Sequence, residues 1–104
     1  MDFICNNSNW RIELVSEDVI NNATKRDNTL GCTMTNTQTV LILESQPNVI
    51  KTLKHELTHV WLYEFGHNPD EKQFNDEDIC EIVSSINDFI NDIVNRFKKE
   101  KHYA

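Results

Sequence analysis

No stretch of this chain approaches the roughly 20 consecutive apolar residues that a membrane-spanning helix requires, so a membrane role is not expected. Cysteine is sparse and badly placed for bridging: Cys5, Cys32 and Cys80 are odd in number, far apart and in no C-x-x-C pair. That argues against a disulfide framework and for a reducing compartment. The thiols are expected as small buried hydrophobes. Positive charge is in deficit as well, with 10 Lys and Arg against 17 Asp and Glu and a formal net charge of −7. A nucleic-acid surface needs clustered cations to neutralise phosphates. The local cluster Lys98, Lys99 and Lys101 sits where a helix C-terminus favours positive charge anyway. The first residues, Met1 to Asn7, offer neither a basic start nor an apolar run, so no signal peptide is expected and the cytoplasm is the expected location. Repeats and low-complexity segments are absent, although asparagine is abundant.

What is present suits one ordinary domain. The 104 residues leave no room for a second, and 38% hydrophobic with 26% charged residues describes a folding chain rather than a disordered one. Residues 10–15 alternate apolar and polar, the period of a half-buried strand. Residues 16–23 suit a short helix capped by Ser16, and residues 24–29 read as loop. Residues 30–35 and 40–43 are rich in β-branched and apolar side chains and flank a turn-like N-T-Q-T, which predicts a hairpin.

A helix is expected to begin near residues 45–48, with Pro47 in its first turn and Ser45 or Asn48 as cap. Val49, Ile50, Leu53, Leu57, Val60 and Trp61 then follow an amphipathic rhythm, and Gly66 suits a C-terminal cap. Residues 67–75 read as loop. The last helix is expected after Asn75, running to about Lys99, with Ile79, Ile82, Val83, Ile86, Ile90, Ile93, Val94 and Phe97 as one continuous apolar face. The fold class is therefore α+β: a small antiparallel sheet packed on a central helix and a long C-terminal helix.

The central helix carries His55-Glu56-Leu57-Thr58-His59, which reads H-E-x-x-H. Helical residues four apart lie nearly above one another, so His55 and His59 can offer ring nitrogens to one cation. Both fall away from the Leu53, Leu57 and Val60 stripe and can face a cleft. Glu56 can reach a water on that cation without ligating it, the arrangement of zinc-dependent hydrolases.

A catalytic zinc site normally has three protein ligands and an open position. Candidates for the third are His67, eight residues past His59, and the acidic run Asp76, Glu77, Asp78 with Glu81. Acidic residues favour the first turn of any helix because they complement its dipole, so that run has an ordinary explanation too. At about 100° per residue, Glu77 shares an edge with Cys80 and Ser84, small residues that admit a neighbouring helix. Glu77 is thus the preferred third ligand, with Glu81 a turn later as acceptor for a ligand histidine's other N–H. Asp70 and Glu71 read as solvated loop charges.

His55 to His59, followed by E-D-I-C-E-I-V-S from Glu77 to Ser84, resembles the ImmA/IrrE-type zincin metallopeptidases. Those carry H-E-x-x-H and then a glutamate in an E-x-x-A-N-x-F-A setting. Glu77 matches that glutamate, Cys80 its small residue and Ser84 the last alanine. Glu81 stands where asparagine is frequent and Val83 where phenylalanine is. The resemblance spans roughly residues 30–90 and implies a minimal zincin domain holding one catalytic zinc. It further implies a small intracellular peptidase, often encoded by phages or mobile elements, that acts on a transcriptional repressor. Gly66, His67, Asn68 and Pro69 resemble, at shorter spacing, the third-histidine region of SprT-like zincins, which would make His67 the ligand.

Three functions follow as expectations. The first is a zinc-dependent endopeptidase with Glu56 as general base and Tyr63 or His67 as a second oxyanion donor, Tyr63 being expected in the core. In it, residues 30–35 would bind substrate as an added β-strand. The second is a non-catalytic zinc-binding module that regulates a partner by contact, against which the retained Glu56 argues. The third is a metal-free helical interaction protein. Substrate and oligomeric state are not legible.

Overall fold

The computed structural model describes residues 1–66 and 76–104, with side chains in the second segment from Cys80 onward. Among the described residues the elements in chain order are strand β1 (Asp2–Cys5), strand β2 (Ser8–Val15), helix α1 (Glu17–Thr24), strand β3 (Gly31–Met34), strand β4 (Thr39–Leu43), helix α2 (Val49–Glu64) and helix α3 (Asp76–Lys101). They form an α+β domain around one four-stranded sheet of order β1-β2-β4-β3.

The sheet is mixed, not the antiparallel one expected. β1 with β2 and β3 with β4 run antiparallel, but β2 and β4 are parallel, with Ile12 opposite Val40 and Leu14 opposite Ile42. The physical reason lies in β4, whose Val40, Leu41 and Ile42 are all buried. A strand covered on both faces reads as a continuous apolar run, and such a strand belongs in the interior of a sheet. β4 therefore inserts beside β2 instead of extending a meander, and β3 becomes an edge.

The second face is covered by α1, which packs on β4 and β3. Ile20 of α1 is wholly buried, and Leu41 is 5% exposed on the face opposite Val40 and Ile42. Helices thus lie on both sides of the sheet, the expected short helix after Ser16 on one and α2 on the other. Ser16 caps α1 by accepting from the Val19 N–H, and Lys25 closes it in a left-handed conformation. β1 was not anticipated. Phe3 and Cys5 alternate inward with exposed Asp2 and Ile4, and Asn6 and Asn7, both at positive φ, make the two-residue turn that suits a hairpin.

α2 begins at Asn48, whose side chain accepts from the Lys51 N–H; Pro47 precedes the cap instead of entering the first turn. Gly66, at φ +71°, follows the C-cap Phe65 in the left-handed region where glycine is least strained. Leu53, Leu57 and Val60 of α2 meet Phe3, Trp10, Ile12, Val40 and Ile42 of the sheet and Ile86, Ile90, Ile93, Val94 and Phe97 of α3. Burying side chains of this size contributes about 1.5–3 kcal/mol each, so this cluster holds the layers together. The apolar face of α3 is shorter than its sequence suggests, because Val83 is half exposed and Ile82 only partly covered. The thiols divide as well: Cys5 is buried, Cys32 half-buried and Cys80 exposed, so only Cys5 is the expected core hydrophobe. Among the described residues, no helix is long and apolar enough to cross a membrane.

Candidate metal centre

The two histidines converge. His55 and His59 sit one turn apart on α2, and their Nε2 atoms are 3.2 Å from each other. The rings stand edge to face with centroids 4.9 Å apart. Both side chains are on the exposed face of the helix, His55 being 70% accessible. The donor set fits zinc: two nitrogens each at about 2.0–2.1 Å from one tetrahedral zinc stand about 3.3 Å apart. At that distance the two Nε2 atoms are also within hydrogen-bond reach of each other.

Glu56, between them in sequence, is buried against the sheet. It is 7% exposed, the one buried charged residue among those described. Burying a carboxylate costs heavily unless it is hydrogen-bonded, and strand β3 supplies that bond. The Thr33 hydroxyl lies 2.9 Å from Glu56 Oε1 and 3.2 Å from the Glu56 carbonyl oxygen. The second carboxylate oxygen, Oε2, is 3.9 Å from His55 Nε2. A buried carboxylate and a pair of imidazoles therefore lie close together where α2 meets β3.

That junction is close because Gly31 has no side chain. A Cβ there would stand 2.6 Å from Thr52 Cγ2 and 3.0 Å from Glu56 Cγ. Gln46 then ties the start of α2 to the strands: its amide donates to the Leu30 and Leu43 carbonyls, and its oxygen accepts from the Thr52 hydroxyl. Gly31, Thr33 and Gln46 escaped sequence reasoning. The signal available was two small residues at i and i+2 in a strand, which marks close approach by another element.

Other expected positions fare differently. Tyr63 is not in the core; it is 54% exposed, with its ring edge-on to Trp10 at 6.1 Å. It follows His59 by four residues and so lies on the same helix face. The Cys32 thiol pKa is pushed up by burial and by the Glu56 carboxylate, with Arg26 opposing. Glu81 is exposed and shares a shallow groove with Cys80, Ser84 and Ser85. Among the described residues no three His, Cys, Asp or Glu side chains gather into a metal-holding group, so Glu81 does not join the histidine pair. Glu77 belongs to the first turn of α3, but its side chain lies outside the described residues, as does the whole of His67. Compared with known protein families, characterised proteins and solved structures, the chain matches none.

Proposed function

We propose that this chain is a zinc-dependent endopeptidase of the zincin type, similar to the ImmA/IrrE-type enzymes, acting in the cytoplasm on a peptide or protein substrate. The observation that carries the reading is the convergence of the His55 and His59 Nε2 atoms at 3.2 Å with a buried Glu56 carboxylate oxygen 3.9 Å from one of them. Buried charge beside exposed ligand-type side chains is costly for stability and common where chemistry is done.

In this proposal His55 and His59 hold the ion, with Glu77 as the third ligand. When bound, zinc would supply Lewis acidity, lowering the pKa of a water toward about 7 and polarising the scissile carbonyl. Glu56 takes the proton of the attacking water on Oε2 and returns it to the leaving amine. Tyr63, on the same helix face as the pair, is the candidate donor to the oxyanion. β3 offers substrate an edge: since Leu30 is bonded to Leu43 across the ladder, the alternation of an antiparallel pair turns the N–H and C=O of Gly31 and Thr33 outward. An extended peptide adding there would pass beside the histidine pair. A transcriptional repressor is the substrate that the family resemblance proposes.

The test is Glu56→Gln. Wild-type protein loaded with zinc should cleave peptides, whereas the variant should retain zinc and lose about 10²–10⁴-fold in rate. Full proteolysis by a zinc-loaded variant would overturn the assignment. Equal potency of wild type and variant in relieving a repressor, without cleavage, would favour the non-catalytic regulatory module.

A further inference from the structure

We infer that Thr33 is a positioning residue for the base: its hydroxyl tethers one oxygen of Glu56 and so leaves the other turned toward the histidine pair. The inference rests on the peptidase reading above and extends it to a residue on a different element, 23 positions away.

The geometry divides the carboxylate unequally. A threonine hydroxyl has one proton to donate. Two acceptors lie within its reach, Glu56 Oε1 at 2.9 Å and the Glu56 carbonyl at 3.2 Å. The shorter contact is to the carboxylate, and a bond to an ionised acceptor is the stronger of the two. Oε1 is thereby occupied, while Oε2 lies 3.9 Å from His55 Nε2. Gly31 closes the pocket from the same face of β3, since even a methyl group there would meet Glu56 Cγ and Cδ. The carboxylate is thus held from below by two residues of one strand and can turn little about its terminal torsion.

Thr33 also joins two parts of the machinery. Its backbone groups belong to the outward edge of β3, where substrate would add, and its side chain belongs to the base. A peptide that shifts β3 by a fraction of an ångström shifts the hydroxyl with it. Substrate register and base orientation are therefore coupled through one residue.

The test compares Thr33→Val, which keeps the branched shape without the hydroxyl, with Thr33→Ser, which keeps the hydroxyl. The kinetic substrate is the fastest-cleaved member of a quenched fluorescent peptide library, and zinc content is measured on every sample. Thr33→Val should keep one equivalent of zinc and lose about 10–100-fold in kcat, the scale of a lost outer hydrogen bond at a metal site. KM should stay within about threefold, because the hydroxyl touches Glu56 rather than the peptide, so its loss falls on the chemical step. Thr33→Ser should restore kcat.

A second readout needs neither metal nor turnover. The side-chain carboxyl carbon resonance of Glu56, assigned by its loss in Glu56→Gln, should move in zinc-free Thr33→Val and return in Thr33→Ser. Wild-type kcat in Thr33→Val, or an unmoved resonance, overturns the inference. Should wild type cleave no peptide, the peptidase reading fails, and the resonance alone decides whether Thr33 orients Glu56. Thr33→Ala repeats both measurements if the valine variant does not fold.

Discussion

Gly31 and Thr52 meet without room for a methyl group between them: a Cβ on the strand residue would lie 2.6 Å from the threonine Cγ2 on the helix. This contact sets how near α2 comes to the edge of the sheet, and hence how deeply Glu56 is buried.

Gly31→Ala should therefore force α2 away from β3. Overpacking of this kind costs about 1–3 kcal/mol, readable as a lower urea midpoint with an unchanged slope. Because Glu56 Cγ is the second atom in the way, at 3.0 Å, hydrolysis should fall more steeply than stability. An alanine variant with wild-type midpoint and rate would show that the approach is not tight.

Zinc should stabilise the folded chain by mass action. At a free concentration 100 times its dissociation constant the gain is about 2.7 kcal/mol, visible as a rise in Tm that a chelator reverses. His55→Ala and His59→Ala should abolish that rise, and Glu56→Gln should keep it. Glu77→Gln should abolish it and His67→Ala should not; the opposite pair of results would transfer the third ligand to His67.

The thiols should react in order of exposure. Cys80 is exposed, whereas Cys5 is buried and its pKa is pushed up to about 11, first by desolvation and then by Glu64. Only the thiolate is nucleophilic, so an alkylating reagent at neutral pH should label Cys80 quickly and Cys5 only after unfolding. The same shift has a stability consequence. A raised folded-state pKa means that the unfolded chain ionises first as pH rises, so stability is intact below about 9 and is lost toward about 11. Melts of wild type and Cys5→Ala across that window should converge as pH increases, because the variant lacks the loss.

Val83 and Ile93 both belong to the apolar stripe expected of α3, yet one is 50% exposed and the other 1%. Ile93→Ala should cost about 2–5 kcal/mol, whereas Val83→Ser should stay within about 0.5 kcal/mol of wild type. Denaturant unfolding of the two variants checks this directly.

Much of the candidate site was legible because its logic is local. H-E-x-x-H depends on a four-residue spacing within a single helix, and α2 delivers the two Nε2 atoms to one point as that spacing requires. The N-cap of α1 and the β3–β4 hairpin were equally readable, since Ser16 and the polar turn act on their immediate neighbours. β1 was readable in principle from its alternation and the Asn6–Asn7 turn, but a four-residue strand is a weak signal beside an eight-residue one.

What the sequence alone determined, then, is every described element but β1, together with the histidine pair, because backbone periodicity and side-chain chemistry act over a few residues. The tertiary structure alone decided the parallel pairing of β2 with β4, the burial of Glu56 and its bond to Thr33. Those depend on which surfaces exclude water from which others, and residues 23 apart in the chain become neighbours only where α2 packs on β3.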